Sequence, residues 1–283
     1  MFQPHPPTLT EARAELLRAI TVRDEQGQQR ELLIPNERPL TLFVDRRELV
    51  TLMTLGVNPE LLVLGYLLNQ QLIESAAAVD AISVDWEVHA AAVRLHTPSA
   101  DLQERTEHRI VTSGCGQGTV FGEALQDPRT LATHAAVAES PTVATAAELL
   151  AMLEIIRHTP SVHRQAGSVH ACALFAVSAP SQPRMQFHVE DVGRHNAIDT
   201  LAGWMAMNGV DAAGQLLYTT GRLTSEMVLK AALMKLPIIV SRNGVTAMAL
   251  DLAERLGMTL VGRAVNRRWF CYCGPQRLVA AAQ

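Results

Sequence analysis

The run "GQLLYTTGRLTSEMVLKAALMKLPIIVSRNG", Gly214 to Gly244, holds the fold in miniature. "GQLLYTTG" is a short apolar stretch ending in hydroxyls and a glycine, the profile of a buried strand. "LTSEMVLKAALMKL" reads as a helix and "PIIVSR" as a second short buried strand. Downstream, "VTAMALDLAERLG" continues as helix and "MTLVGRAV" as a final strand. Upstream, "ACALFAVSA" and "MQFHVE" read as a hairpin, and "DVGRHNAIDTLAGWMAMNG" as a helix ending at Gly209. A long amphipathic helix precedes them in "ESPTVATAAELLAMLEIIRHTPSVHRQ", closed by Pro160. Strands alternating with helices predict a partly parallel sheet with helices on its faces.

The first portion follows a different pattern. Leu40, Leu42 and Val44 alternate before Asp45-Arg46, so "ERPLTLFVDRREL" reads as strand, turn, strand. "NPELLVLGYLLNQQLI" opens a helix with Asn58 as cap and Pro59 in its first turn, and "AISVDWEVH" and "AAVRLHT" are two further strands. The leader before it is polar, with one helix capped by Thr10 and running to Ile20. The expected organisation is a leader over 1–36, a small mixed α/β domain over 37–112 and a larger α/β domain over 113–283. No internal repeat or low-complexity tract interrupts it.

The chain of 283 residues carries 24 Lys and Arg against 28 Asp and Glu, a formal charge of -4, which gives no global pull toward nucleic acid or anionic membrane. An anionic ligand must therefore be held by a local basic site. The four cysteines, Cys115, Cys172, Cys271 and Cys273, are too few and scattered for a secreted disulfide scaffold. With neither a signal peptide nor an apolar run long enough to span a bilayer, the reading is a soluble cytoplasmic protein.

Chemistry concentrates in loops beyond predicted strands, where open α/β sheets bind ligands. "VEDVGRHN" places Gly193, Arg194 and His195 at a helix N-terminus, where free N–H groups and the dipole favour anions. The bland alternative makes Asp191 a helix cap and Arg194 a solvated charge. "TTGRLTSEM" repeats the device with Gly221 and Arg222, "VSRNGVT" forms a third such loop, and "VGRAVNRRWF" adds three arginines. Together they suit a phosphate-rich ligand, because Arg bonds phosphate oxygens in a bidentate fork. His170 sits at another junction as a candidate proton carrier, against the bland reading of a structural histidine. "HVE" at His188 to Glu190 matches half of the zinc deaminase signature, but the Pro-Cys-x-x-Cys half is absent. Cys271 and Cys273 are expected on opposite faces of a strand, poorly placed to chelate one metal.

"VTSGCGQG", Val111 to Gly118, sets Cys115 among Gly114, Gly116 and Gly118. The glycines leave access and allow backbone N–H groups to point at the sulfur, which favours a reactive thiolate; the alternative is a small buried residue at a bend.

"EDVGRHNAID", "TTGRLTSEMVLKAA", "LAERLGMTLVGR" and "TSGCG" together resemble the FdhD/NarQ family of sulfur carrier proteins required for formate dehydrogenase activity, from about Glu37 to Arg277. The resemblance implies a cytidine-deaminase-like three-layer α/β domain joined to a smaller N-terminal one, in a homodimer. It implies that sulfur comes from a cysteine desulfurase as a persulfide and passes to molybdenum bis-molybdopterin guanine dinucleotide, before that cofactor enters the formate dehydrogenase catalytic subunit. GDP is expected to substitute for the cofactor. The family's persulfide cysteine falls on Cys115, the first of its Cys-Gly-x-Cys loop, and the second falls on Gly118. Its cofactor-binding stretch falls on Arg263, Ala264, Val265, Asn266, Arg267 and Arg268, with Arg263 where the family has an aromatic. His170, Gly193, Arg194, His195, Gly221 and Arg222 are expected to line the same pocket, and no structural metal, nucleic acid or membrane partner is expected. Two alternatives stand beside sulfur transfer: a chaperone that binds the molybdenum cofactor without carrying sulfur, and a zinc deaminase-like hydrolase centred on His188.

Overall fold

The computed structural model describes residues 6–97, 135–177 and 182–279. The Cys115 loop and the strand expected to lead into it lie outside the described residues.

The first unit is a five-stranded sheet in the order β1-β6-β7-β4-β5, built from Thr8–Leu9 (β1), Arg38–Val44 (β4), Arg47–Thr54 (β5), Val79–Asp85 (β6) and Ala90–Leu95 (β7). The β4–β5 hairpin turns through Asp45 and Arg46, both at positive φ (46° and 72°), the backbone that matches the right-handed twist of paired strands. Leu40, Leu42 and Val44 point inward as their alternation predicts, and pack with α1 (Pro59–Asn69). Asn58 precedes that helix in a left-handed conformation and makes no side-chain cap bond, so Asn serves there by tolerating φ 48°.

The leader differs from expectation. In place of a helix over Thr10–Ile20 it forms β1 and then a two-stranded ribbon of Leu17–Arg23 (β2) with Gln29–Pro35 (β3). The physical reason lies in Glu60 on α1. Its Oε1 accepts from the Thr10 hydroxyl at 2.6 Å and from the Ala12 N–H at 2.7 Å, taking the groups that a helix cap would have used. Glu11 between them is left-handed at φ 55°.

The second unit is a six-stranded sheet in the order β10-β9-β11-β12-β13-β14: Arg184–Asp191 (β10), His170–Ala176 (β9), Gln215–Thr219 (β11), Ile238–Ser241 (β12), Thr259–Val265 (β13) and Arg268–Cys273 (β14). The opening sequence run is its centre. β11, β12 and β13 are parallel, and the β9–β10 hairpin is antiparallel as read. One face buries Cys172, Leu174, Leu217 and Leu260 against α4 (Arg194–Met207), α5 (Ser225–Leu233) and α6 (Ala247–Arg255). The other buries Ala173, Phe175, Tyr218 and Val261 against α2 (Ala146–His158), which starts from a capping box between Thr145 and Glu148. The short α3 (Val162–Ala166) follows α2, and Ala144–Thr145 (β8) pairs with Leu278–Val279 (β15).

Strict alternation would put Cys271 and Cys273 on one face of β14. A register shift falls between Leu260 and Val261: Cys273 lies opposite Leu260 and packs in the α4-side core, while Cys271 lies opposite Val261 and is half-buried.

Two contacts lock the units together. Helices α1 and α4 approach backbone to backbone at Gly65 and Gly203, where an added Cβ would lie 1.7 Å from the Asp199 carbonyl oxygen and 2.0 Å from that of Leu61. At the N-terminal end of α4, Asp191 accepts from the Thr54 hydroxyl (2.5 Å), the Leu55 N–H (3.1 Å), the Gly193 N–H (3.0 Å) and the Asn196 amide (2.8 Å). Asp191 therefore turns the chain into the helix and also clasps the end of β5. Asp191→Ala strands four donors at once, so we expect a loss of about 3 kcal/mol in urea unfolding. A loss within about 0.5 kcal/mol would mean the clasp carries no stability.

Candidate functional site

A cavity of about 550 Å³ opens at the carboxyl edge of the parallel strands, on the α2 face. Thr220 and Arg242, which follow β11 and β12, form part of its wall, the position where such sheets take ligands. Arg157, Arg164, Arg242 and Arg267 line it together with His163 and Tyr218. These arginines are not equivalent. Arg157 is paired with Glu154 at 2.7 Å, and Arg164 bonds the Arg157 and Thr159 carbonyls at the end of α2 at 2.5 Å each. The side chains of Arg242 and Arg267 make no hydrogen bond or ion pair among the described residues, which leaves their donors for a ligand. Burial pushes the Tyr218 hydroxyl up to about 12, so it stays a neutral donor.

Of the six residues expected to bind cofactor after Gly262, Ala264, Val265, Asn266 and Arg267 line this cavity. Arg263 and Arg268 are exposed and outside its wall. The cause is local: Arg263 and Asn266 take positive φ (52° and 58°), and the β13–β14 register shifts between Gly262 and Val265, so side chains leave their alternating sides.

The remaining predicted residues gather on the other face of the sheet. His170 begins β9 with its side chain on the α4 side, while the next residue, Ala171, faces the cavity. Arg194 lies along Gly221, where an added Cβ would sit 2.8 Å from the Arg194 Cβ. The Gly-Arg loops before α4 and α5 thus touch, and Arg194 is a buried residue rather than a solvated charge. Burial, with help from Arg194, His163 and Arg222, lowers the His170 pKa. His195 is pushed down to about 2 by burial and by the charges of Lys230 and Arg194, so its imidazole is neutral at physiological pH.

Sequence reasoning missed the group beneath these loops. Lys230 is 1% exposed and donates to Asp199 at 2.7 Å; Asp199 also accepts from Asn69 at 2.7 Å; and Glu226 lies 3.7 Å from Lys230 and 3.3 Å from His195. The four-residue step from Glu226 to Lys230 on one helix was the available signal.

Two expectations about ligating groups meet the geometry here. The Glu190 oxygens accept from the Ser161 hydroxyl (2.6 Å) and the Val162 N–H (2.5 Å), so this carboxylate caps α3. Among the described residues no cluster of three His, Cys, Asp or Glu side chains could hold a metal ion. The described thiols are all protonated forms at neutral pH: burial raises Cys172 to about 12 and Cys273 to about 11, and raises Cys271 too.

Fold and cavity together define an α/β protein with an arginine-lined cavity at the carboxyl edge of its parallel strands. The chain belongs to the FdhD/NarQ family, whose model matches residues 35–279. It is 31% identical to the sulfur carrier protein FdhD of Halalkalibacterium halodurans across 92% of this chain and 93% of that one. The protein of the same name in Bacillus subtilis is 30% identical across 90% and 95%. A crystal structure described as a formate dehydrogenase accessory protein from Desulfotalea psychrophila superposes with a TM-score of 0.69 at 26% identity, covering 93% of this chain and 98% of that one. No helix among the described residues is long and apolar enough to cross a membrane.

Proposed function

We propose that the chain is a cytoplasmic, homodimeric sulfur carrier serving a formate dehydrogenase. The thiolate of Cys115 attacks the outer sulfur of a cysteine desulfurase persulfide, the donor sulfur–sulfur bond breaks, and the desulfurase cysteine leaves as thiolate. Cys115 then bears the persulfide and presents its outer sulfur to molybdenum bis-molybdopterin guanine dinucleotide, the acceptor substrate. In this reading the second sheet with its helical layers is the cytidine-deaminase-like domain. Arg242 and Arg267 hold phosphates of the acceptor through charge-assisted bonds.

The observation that carries the reading is the match to the FdhD/NarQ family over residues 35–279 and to relatives named sulfur carrier proteins at about 30% identity, with Cys115 at the place where the family's persulfide cysteine falls. One cysteine is sufficient for accepting and donating a sulfane sulfur. A cofactor chaperone without sulfur transfer is the second reading, favoured by Gly118 at the place of the family's second loop cysteine.

The test is incubation with a cysteine desulfurase and labelled cysteine, followed by mass analysis. Gain of sulfur on Cys115, lost in Cys115→Ser and kept in the Cys271→Ser/Cys273→Ser double variant, is the expected result. A chain that binds guanine nucleotide yet never gains sulfur at Cys115 is the chaperone.

A further inference from the structure

Arg194 is 7% exposed, its Nε has no hydrogen-bond partner, and no carboxylate lies within ion-pair distance of it among the described residues. A buried cation left so costs the fold unless something completes it. It stands at the first position of α4, a helix of 14 residues whose N-terminus receives no side-chain cap. His195 beside it is 5% exposed, and neither ring nitrogen has a hydrogen-bond partner; its Nε2 is close to Glu226 but not aligned with it. Gly221 presses on the arginine side chain, and Gly193 and Arg222 are half-buried and exposed at the surface. Buried unpartnered donors therefore meet a positive helix end within reach of solvent.

The charges around this niche decide what accompanies an anion into it. Lys230 donates to Asp199 at 2.7 Å and lies 3.7 Å from Glu226, and Asp199 also accepts from Asn69. The neighbouring cations are Arg194 and Arg222, and His170, His195 and, beside His170, His163 complete the titratable surroundings. The Asp191 carboxylate at this end of α4 is taken up by four donors, and Glu226 is the one left without a hydrogen bond on Oε1, which lies 3.7 Å from the Lys230 ammonium. An anion arriving beside Arg194 meets Glu226 as a like charge in a poorly solvated site, a repulsion removed when Glu226 takes a proton.

We propose that the α4 N-terminus is an anion subsite distinct from the arginine-lined cavity, taking one small oxyanion such as sulfate or a phosphoryl group on Arg194 and His195, with uptake of one proton by Glu226. The proton comes from solvent and returns on release. Burial raises the Glu226 carboxyl against the lowering effect of Lys230 and Arg194, the direction that favours such uptake. The subsite stands whether or not Cys115 carries sulfur.

Sulfate is the probe, because it stays fully ionised between about pH 5 and pH 8, so any proton taken up belongs to the protein. Calorimetric titration of the full chain in two buffers of different ionisation enthalpy is expected to report uptake of about one proton, and affinity to fall up to about tenfold per pH unit as pH rises. Glu226→Gln, nearly isosteric, is expected to bind sulfate without proton uptake, and Arg194→Gln to lose binding. The wild-type buffer comparison needs no variant to fold. No sulfate binding at any pH overturns the proposal, as does binding unchanged in Arg194→Gln, proton uptake persisting in Glu226→Gln, or binding lost only on changing Arg242 and Arg267.

Discussion

Lys230→Met is expected to cost about 3–5 kcal/mol of folding stability, read as a lower denaturation midpoint at unchanged slope. The ammonium is 1% exposed and sits 2.7 Å from Asp199 and 3.7 Å from Glu226. Without it two carboxylates remain inside, both already raised by burial. The sign with pH follows: a carboxyl whose folded pKa is above its unfolded value stabilises the fold at low pH and loses that contribution as pH rises. The deficit of the variant is therefore greatest at neutral pH and shrinks in acid. Adding Asp199→Asn is expected to recover part of the loss, since a neutral amide needs no counter-charge. A midpoint within about 0.5 kcal/mol of the parent would sink the idea that this pair holds α4 to α5.

Gly65→Ala is the second large effect. On an isolated helix the change is stabilising by about 1 kcal/mol, through better helix propensity. Here the new methyl would lie 1.7 Å from the Asp199 carbonyl oxygen, and only backbone can yield. We expect a loss of about 3 kcal/mol or more, with α1 and α4 forced apart. The reversed sign is the diagnostic, because helix propensity alone predicts a gain. The same displacement would move Asp199 and the first turn of α4, so a folded variant is also expected to bind sulfate more weakly.

The sequence carried the second sheet because its strands are short, apolar and bounded by Gly or Pro, signals that need no partner to be read. It misled in the leader, where Thr10 offered a cap that Glu60, fifty residues away, captures instead. The arginine loops were legible one by one. Their division between the two faces of the sheet was not, since Arg267 and Arg242 line the α2 face and Arg194 lies on the α4 face.

By itself, then, the sequence determined the mixed α/β class, the run of strands and helices from β9 to β13, and the loops in which chemistry is concentrated. These follow from local periodicity and from the turn chemistry of Gly, Pro, Asp and Thr. Only the tertiary structure decided which loops share a face, which arginines remain free and which carboxylates are already occupied. Neighbouring residues of a strand point to opposite sides of a sheet, and bulges at β14 and after Gly262 reset that alternation. A buried charge finds its partner by packing across elements, as Lys230 finds Asp199 on another helix, and no spacing along the chain specifies that contact.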